Sequence, residues 1–137
     1  MSRVSASVRV SASLAEVWDR YFDAQLRKGI DALASAGAKV ALEELPCWRP
    51  ADNGSGTTAF PERGDDHRTR HVNQLLERAA TADPDTVTAL RAPAAYCTDS
   101  SVATSLGERW DGVHYGGAGA ARLFRSLLPQ LLAIQVH

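Results

Sequence analysis

The sequence has little of what a disulfide-rich, zinc-binding or membrane-spanning protein needs. Its 137 residues include two cysteines, Cys47 and Cys97, which are too few for a disulfide scaffold and wrongly spaced for a zinc knuckle. No apolar run approaches the roughly 20 residues of a membrane-spanning helix, and the N-terminus lacks the apolar stretch of a signal peptide. We therefore expect no membrane insertion by this chain, no metal ion and no cofactor, while its compartment stays open.

An excess of charge of either sign is also absent. The formal net charge is −1, and neither a basic patch nor an acidic tail is present, so the sequence does not indicate a nucleic-acid partner. Hydrophobic residues make up 45% and charged residues 23%, which are ordinary values for a globular protein with a substantial core. The length then predicts a single domain over residues 1–137.

The N-terminal third of the chain predicts a strand followed by a long helix. Residues 4–10 alternate Val or Ala with Ser or Arg, and a period of two favours a short strand. Ser13 and Glu16 have the spacing of a capping box, and Gly37 is a typical helix end. We expect the helix between them to bury one apolar face, with its aromatic side chains, in the core. The apolar positions are Leu14, Val17, Trp18, Tyr21, Phe22, Leu26, Ile30 and Leu33.

The rest of the chain continues to alternate between strands and helices. Strands are predicted over residues 39–45 and 86–90, an exposed loop over 51–66, and helices over 67–82 and from about Ala118 onward. Asp65 or Asp66 can cap the first of these helices, and Pro129 should kink the last helix or split it in two. The residues expected to face the core are Val72, Leu75, Leu76 and Ala79 in the first, and Leu123, Phe124, Leu127, Leu128, Leu131 and Leu132 in the last.

This order of elements predicts an α/β fold, a three-layer sandwich with helices on both faces of a parallel sheet. Such a sheet is normally buried on both faces and is rarely as narrow as two or three strands. We therefore expect part of a domain, incomplete on its N-terminal side. Its uncovered sheet edge would be open to pairing with a missing N-terminal half or with another copy. Residues 47–50 follow a strand, and ligands bind at the carboxyl ends of parallel strands.

An acid and a histidine stand just before the last helix. Residues 111–114 read Asp-Gly-Val-His, and a glycine-rich turn follows. Asp111 at i and His114 at i+3 can meet across one turn of backbone. The carboxylate can then accept the proton of one imidazole nitrogen and leave the other nitrogen free as a base.

These features together resemble the SGNH (GDSL-type) hydrolase family, in particular the SGNH domains attached to bacterial membrane sugar O-acyltransferases. The resemblance is carried by Arg68 and Asn73 on one helix, by the strand that leads to Cys97, by residues 111–114, and by Gly119-Ala120 at the start of the last helix. It implies a flavodoxin-like fold and a serine esterase activity on an O-acylated small molecule or sugar. His114 would be the general base, and Asp111 would orient it.

The sequence departs from the family pattern at the nucleophile. It contains no Gly-Asp-Ser block, since Asp99-Ser100 follows Thr98 and comes late in the chain, and it contains no Gly-x-Asn-Asp block. The nucleophile and most of the oxyanion hole are therefore missing, and Gly116 stands where a Ser or Thr cap is usual. We expect the chain to be the C-terminal piece of such a domain and to be inactive alone. The alternative is a non-catalytic binding or interaction protein with a degenerate hydrolase-like fold.

The roles of Cys97 and of two histidines stay open from the residues alone. Cys97 could supply a thiolate nucleophile beside His114, or it could be a small buried apolar side chain. In an exported chain it could instead form a disulfide with Cys47, since both cysteines follow neighbouring strands at one sheet edge. His67 and His71 have an i, i+4 spacing that can hold zinc with a nearby aspartate, but a solvated helix face is the interpretation we favour.

Overall fold

The computed structural model describes residues 4–52 and 60–134, and only the backbone for residues 4–13. It has a mixed α/β architecture. The longer elements are α1 (Val4–Ala34), β1 (Val40–Glu43), α2 (Asp66–Ala82), β2 (Val87–Leu90) and α5 (Gly117–Leu132). The short ones are a 3-10 helix (Pro61–Gly64), α3 (Ala95–Thr98) and α4 (Ser100–Ala103). None of the described helices is long and apolar enough to cross a membrane.

The two strands form a parallel sheet with a core built largely on one of its faces. Val40 of β1 lies opposite Val87 of β2, and these two side chains pack with Ile30 of α1 and Ala79 of α2. The α2 connection between the strands supplies the crossover that a parallel pair requires. The parallel α/β pairing expected from the sequence is therefore confirmed at the level of a two-stranded sheet.

The N-terminal strand predicted over residues 4–10 is wrong. These residues form the first turns of α1, which runs without interruption from Val4 to Ala34. Ser13 and Glu16 therefore lie inside the helix and do not begin it. A short alternating segment needs a neighbouring strand to satisfy its backbone, whereas extending an existing helix adds one hydrogen bond for each residue ordered.

The single apolar face predicted for α1 is also wrong. Ile30 is buried and Leu26 packs against the core, but Leu14, Trp18 and Tyr21 are 60%, 68% and 59% exposed. At 3.6 residues per turn these three positions lie on a side of the helix roughly 130° away from the packed side. The apolar residues that are spaced three and four apart along α1 thus lie on two faces of the helix, and the structure buries only one of these faces. Val17 and Leu33 are exposed as well.

Helix α2 follows its sequence pattern closely. The side chain of Asp65 accepts a hydrogen bond of 2.9 Å from the His67 amide and so caps the helix. The expected apolar face is buried at Leu75, Leu76 and Ala79. The predicted loop before α2 contains the 3-10 helix from Pro61 to Gly64, and its residues 53–59 lie outside the described part of the chain.

Helix α5 is continuous across Pro129, so it is not split in two. Pro129 lies within one turn of the end of the helix, where only one internal hydrogen bond is lost. Leu127 is buried, but Phe124, Leu128 and Leu132 are exposed at a spacing of four. The expectation that all the leucines and Phe124 of this helix face the core is therefore wrong for these three positions.

Candidate functional site

The loop between α4 and α5 places Asp111 and His114 beside the segment that follows β1. Arg49 donates its amide to the Gly112 carbonyl at 3.1 Å, and Ala51 donates to the Asp111 carbonyl at 2.9 Å. Gly112 adopts a φ of 78°, a left-handed conformation that favours glycine. These contacts explain why a glycine separates the acid from the histidine, and they fix the loop against the end of the sheet.

Asp111 and His114 meet as the sequence predicts. The Nδ1 atom of His114 lies 2.7 Å from Oδ2 of Asp111. The other carboxylate oxygen, Oδ1, accepts the backbone amides of Val113 at 3.0 Å and of His114 at 2.7 Å. With Asp111 ionised, this contact places the imidazole proton on Nδ1 and leaves Nε2 as the basic nitrogen.

Asp111 stays ionised in this arrangement. Partial burial pushes its pKa upward, but the hydrogen bonds from the amide and imidazole of His114 and from the Val113 amide outweigh that effect and lower the pKa to about 2. The carboxylate therefore carries its negative charge throughout the pH range in which imidazole can act as a base.

His114 presents its second nitrogen to an open surface. Its side chain is 61% exposed, and no described residue forms a hydrogen bond with Nε2. The ring of Trp110 stacks on the imidazole at 5.7 Å between centroids with an angle of 18°. Trp110 and Asp111 thus fix the plane of the ring and leave Nε2 accessible.

A cleft of about 690 Å³ adjoins His114 and the carboxyl end of β1. Its described lining combines carboxylates, one cation and apolar surface, and it contains no serine, threonine or cysteine that could act as a nucleophile. The lining residues are Glu43, Glu44, Leu45, Pro46, Trp48, Arg63, Val113, His114, Tyr115 and Leu123. The site can accept a proton at Nε2, but its described lining offers no serine or threonine hydroxyl and no thiol to activate.

The two cysteines form a disulfide, with 4.9 Å between the Cα atoms of Cys47 and Cys97. The bridge, one of the alternatives open for Cys97, is therefore confirmed, and the thiolate arrangement is wrong for this oxidised form. It joins the segment after β1, part of which lines the cleft, to helix α3.

A buried arginine beneath the site was not predicted from the sequence. Arg109 is fully buried and donates to the carbonyls of Cys47 at 2.6 Å and Ala103 at 2.7 Å. Its guanidinium lies 5.1 Å from the ring centroid of Tyr96 and 5.9 Å from that of Tyr115. Nothing in the sequence around Arg109 distinguishes it from a surface arginine, because its partners come from four separate segments.

The two residues of α2 that carried part of the resemblance have structural roles. The side chain of Asn73 accepts from the Leu45 amide at 2.8 Å and donates to the Leu45 carbonyl at 2.9 Å. Arg68 lies on the surface, 3.6 Å from the capping carboxylate of Asp65. Neither side chain lines the cleft beside His114.

Arg91, which directly follows β2, also has structural contacts. Its guanidinium forms ion pairs with Glu44, at 2.7 Å, and with Glu77. The Arg91 backbone exchanges two hydrogen bonds with the Gln130 side chain of α5. This cluster links the residues that directly follow β1 and β2 to α2 and α5.

The two histidines of α2 are not part of a metal site within residues 4–52 and 60–134. His71 lies 2.8 Å from Asp19 of α1, and no described group of three or more His, Cys, Asp or Glu side chains could hold a metal ion. The zinc arrangement considered from the spacing of His67 and His71 therefore has no support in the described geometry.

Comparison of the chain with protein-family models, with curated proteins and with solved structures found no match. Any function must therefore be argued from the residues of the site and from the family resemblance of the sequence.

Proposed function

We propose that this chain is the acid–base part of an SGNH-type ester hydrolase or acyl-transfer domain. The observation that carries the proposal is the 2.7 Å contact between His114 Nδ1 and Asp111 Oδ2, with Nε2 open to the cleft. An oriented histidine with a free second nitrogen is the arrangement that activates a hydroxyl nucleophile. The resemblance of residues 111–120 to the last block of that family supports the same assignment.

The chemistry assigned to the pair is proton transfer during acyl transfer. A serine hydroxyl positioned at Nε2 would lose its proton to His114 as its oxygen attacks the ester carbonyl. His114 would then return that proton to the leaving alcohol as the tetrahedral intermediate collapses. Asp111, ionised at neutral pH, stabilises the imidazolium that exists between the two transfers.

The nucleophile has to come from outside this sequence, because the chain has no Gly-Asp-Ser block and the described cleft lining has no serine, threonine or cysteine. We propose that the complete domain is a three-layer parallel-sheet sandwich and that its substrate is an O-acylated small molecule or sugar. Without serine and oxyanion hole together, the pair gives almost no rate enhancement, since losing one triad member already costs several powers of ten.

The test is hydrolysis of p-nitrophenyl acetate by the purified chain and by its His114→Ala variant. We expect the two proteins to give the same rate, no faster than the same concentration of free imidazole. Enzymatic turnover by the chain, abolished in His114→Ala, would contradict the inactive part of the proposal. If the adjoining reading frame encodes a Gly-Asp-Ser segment, its co-expression with this chain should give an esterase that needs both that serine and His114. An active complex unaffected by His114→Ala would contradict the assignment itself.

The second candidate function is a non-catalytic interaction protein. It is favoured by the exposed face of α1, where Leu14, Val17, Trp18 and Tyr21 lie together on the surface. An exposed apolar patch of this kind usually marks a contact with another molecule. This candidate predicts that no co-expressed segment yields esterase activity and that His114→Ala leaves every binding property unchanged.

A further inference from the structure

Strand β1 has one edge paired and one edge open. The amides of Val40 and Glu44 donate to β2, to the carbonyls of Thr86 at 2.8 Å and Leu90 at 2.9 Å. In a strand, alternate residues direct their amide and carbonyl to opposite sides. The backbone groups of Ala41 therefore point away from β2, and Ala41 is exposed. The described sheet has no third strand on that side.

The open stretch of this edge is bounded at one end. Leu45 is the next residue whose amide and carbonyl point away from β2, and both groups are already bonded to the Asn73 side chain. Lys39, Ala41 and Glu43 remain as the outward-facing positions. Their side chains lie on one face of the sheet, and they carry one positive charge, one methyl group and one negative charge in that order.

We propose that a second copy of this chain pairs antiparallel with the open edge of β1, with Ala41 opposite Ala41 across a twofold axis. In this register Lys39 of each copy lies directly opposite Glu43 of the other. Three residue pairs then meet in positions that exchange hydrogen bonds, which gives roughly six new backbone bonds. The edge is also self-complementary in charge, because one pair of Lys39 and Glu43 forms on each side of the twofold axis.

The alternative register, with Ala41 opposite Glu43, is less favourable for two reasons. It would require the backbone groups of Leu45 that Asn73 occupies, and it would remove the opposition of Lys39 and Glu43. A twofold contact uses the same surface on both subunits, so a short edge that matches itself suits a second copy better than an unrelated segment. The product is one continuous four-stranded sheet, above the minimum of about three strands at which a sheet becomes independently stable.

The environment of Glu43 supports this pairing. Glu43 lines the cleft of His114, no described basic side chain forms an ion pair with it, and burial raises its pKa. A lysine from the second copy would supply the missing counter-charge. Lys39 must first leave the Asp85 carbonyl, which its ammonium contacts in the single chain, and the flexible lysine stem permits this exchange. Lys39 of one copy would then stand at the rim of the His114 cleft of the other.

The test is sedimentation equilibrium of the purified chain over a wide concentration range, with charge-swapped variants. We expect a reversible dimer. Glu43→Lys and Lys39→Glu should each raise the dissociation constant on the order of tenfold, because each replaces two attractive contacts by two repulsive ones. The double variant, Lys39→Glu with Glu43→Lys, should recover the wild-type dissociation constant. Glu62→Lys, the same change at an exposed position away from the edge, is the matched control.

Hydrogen exchange gives a second measurement that needs no variant. The amides of Ala41 and Glu43 should become protected as the dimer forms, while the amide of Lys28 on the exposed surface of α1 should not change. A chain that stays monomeric at millimolar concentration would overturn the proposal. So would a dimer that neither single swap weakens, or one in which the Ala41 amide still exchanges freely, because either result places the contact on another surface such as the apolar face of α1.

Discussion

Gly112 lies so close to the backbone of Arg49 that no side chain fits between them. A Cβ atom at Gly112 would stand 1.8 Å from the Arg49 carbonyl oxygen and 2.9 Å from the Ala51 nitrogen. The φ of 78° at Gly112 adds a second restriction. The glycine between the acid and the histidine therefore allows the loop that carries Asp111 and His114 to pack closely on the segment that follows β1.

Gly112→Ala should be strongly destabilising, by about 2–4 kcal/mol in the free energy of unfolding, because both a backbone clash and an unfavourable φ are introduced. Urea unfolding followed by circular dichroism measures the change. Gly29→Ala is the control, since a Cβ there meets nothing within 4 Å. That change inside α1 should stabilise the protein by about 0.5–1 kcal/mol. Equal effects from the two substitutions would contradict the close approach of Gly112 to Arg49.

The contact between Asp111 and His114 predicts the tautomer of the neutral imidazole. In the wild-type protein the proton should reside on Nδ1, because Asp111 Oδ2 accepts it at 2.7 Å. In Asp111→Ala that acceptor is gone, and the Nε2–H tautomer that free histidine prefers should return. Nitrogen-15 chemical shifts of the imidazole at alkaline pH distinguish the two forms. His71, which pairs with Asp19 instead, should keep its shifts in the variant. An unchanged His114 spectrum would show that Asp111 does not orient the ring.

The acid sensitivity of the fold should depend on Asp111. Its pKa is about 2 in the folded protein and 3.8 as an ordinary value, so the unfolded state takes up the proton first as the pH falls. The stabilisation is fully present above about pH 5, declines as the pH falls through this interval, and is absent below both values. Unfolding free energies measured between pH 5 and pH 2 should therefore fall less steeply for Asp111→Asn than for wild type.

Glu43→Gln is the matched comparison in that experiment, because its expected effect on the pH dependence of the unfolding free energy has the opposite sign. Burial raises the pKa of Glu43 in the folded protein above 4.5, so the folded state disfavours its charged form. The ionised Glu43 side chain therefore destabilises the folded protein increasingly as the pH rises through this raised pKa. Glu43→Gln should therefore stabilise the protein at neutral pH and have no effect in strong acid. If the Glu43 and Asp111 variants changed the pH profile in the same direction, the assigned environments would be wrong.

Arg109 should be the arginine whose loss damages the fold most among the described arginines. Arg109→Ala leaves the carbonyls of Cys47 and Ala103 without their donor and removes the guanidinium that packs beside the rings of Tyr96 and Tyr115, which we expect to cost about 3–5 kcal/mol. Arg109→Lys should not restore stability, because a single ammonium group cannot reproduce the hydrogen bonds that the planar guanidinium donates to the two carbonyl groups. Arg125→Ala, on the exposed side of α5, should change the unfolding free energy by less than about 0.5 kcal/mol.

The disulfide predicts that the oxidised chain has no free thiol. Titration of the denatured, unreduced protein should detect none, and reduction should expose both Cys47 and Cys97. Because the bridge closes a loop with a sequence separation of 50 residues, its reduction should lower the unfolding free energy by about 2–4 kcal/mol. Paired Cys47→Ser and Cys97→Ser substitutions should have a similar effect, and insensitivity of the melting temperature to reductant would contradict the bridge.

Local patterns were predicted well where the residues themselves supply the partners. Asp65 caps α2 because its carboxylate reaches an amide two residues away, and Asp111 reaches His114 within one turn. The parallel pairing of β1 with β2 follows from two short apolar strands joined by a helix. In each case the chain between the partners is short or regular, so the sequence constrains their approach.

The predictions for α1 and α5 failed because an apolar pattern does not say how much of a helix other elements cover. Trp18 and Phe124 have the same spacing relations to their neighbours as the buried Ile30 and Leu127, yet they are exposed. Burial depends on whether another element lies over that side of the helix. With two strands and few long helices, the described chain cannot cover every apolar side.

By itself, the sequence determined the acid–histidine pair, the glycine between them, the helix that follows and the absence of a Gly-Asp-Ser nucleophile block, because these features depend on neighbouring residues alone. The tertiary structure decided the rest. It closed the bridge from Cys47 to Cys97, buried Arg109 beside Tyr96 and Tyr115, and left the outer edge of β1 without a partner strand among the described residues. These relationships join segments that are distant along the chain, and their free energies depend on which surfaces the packed elements exclude from water.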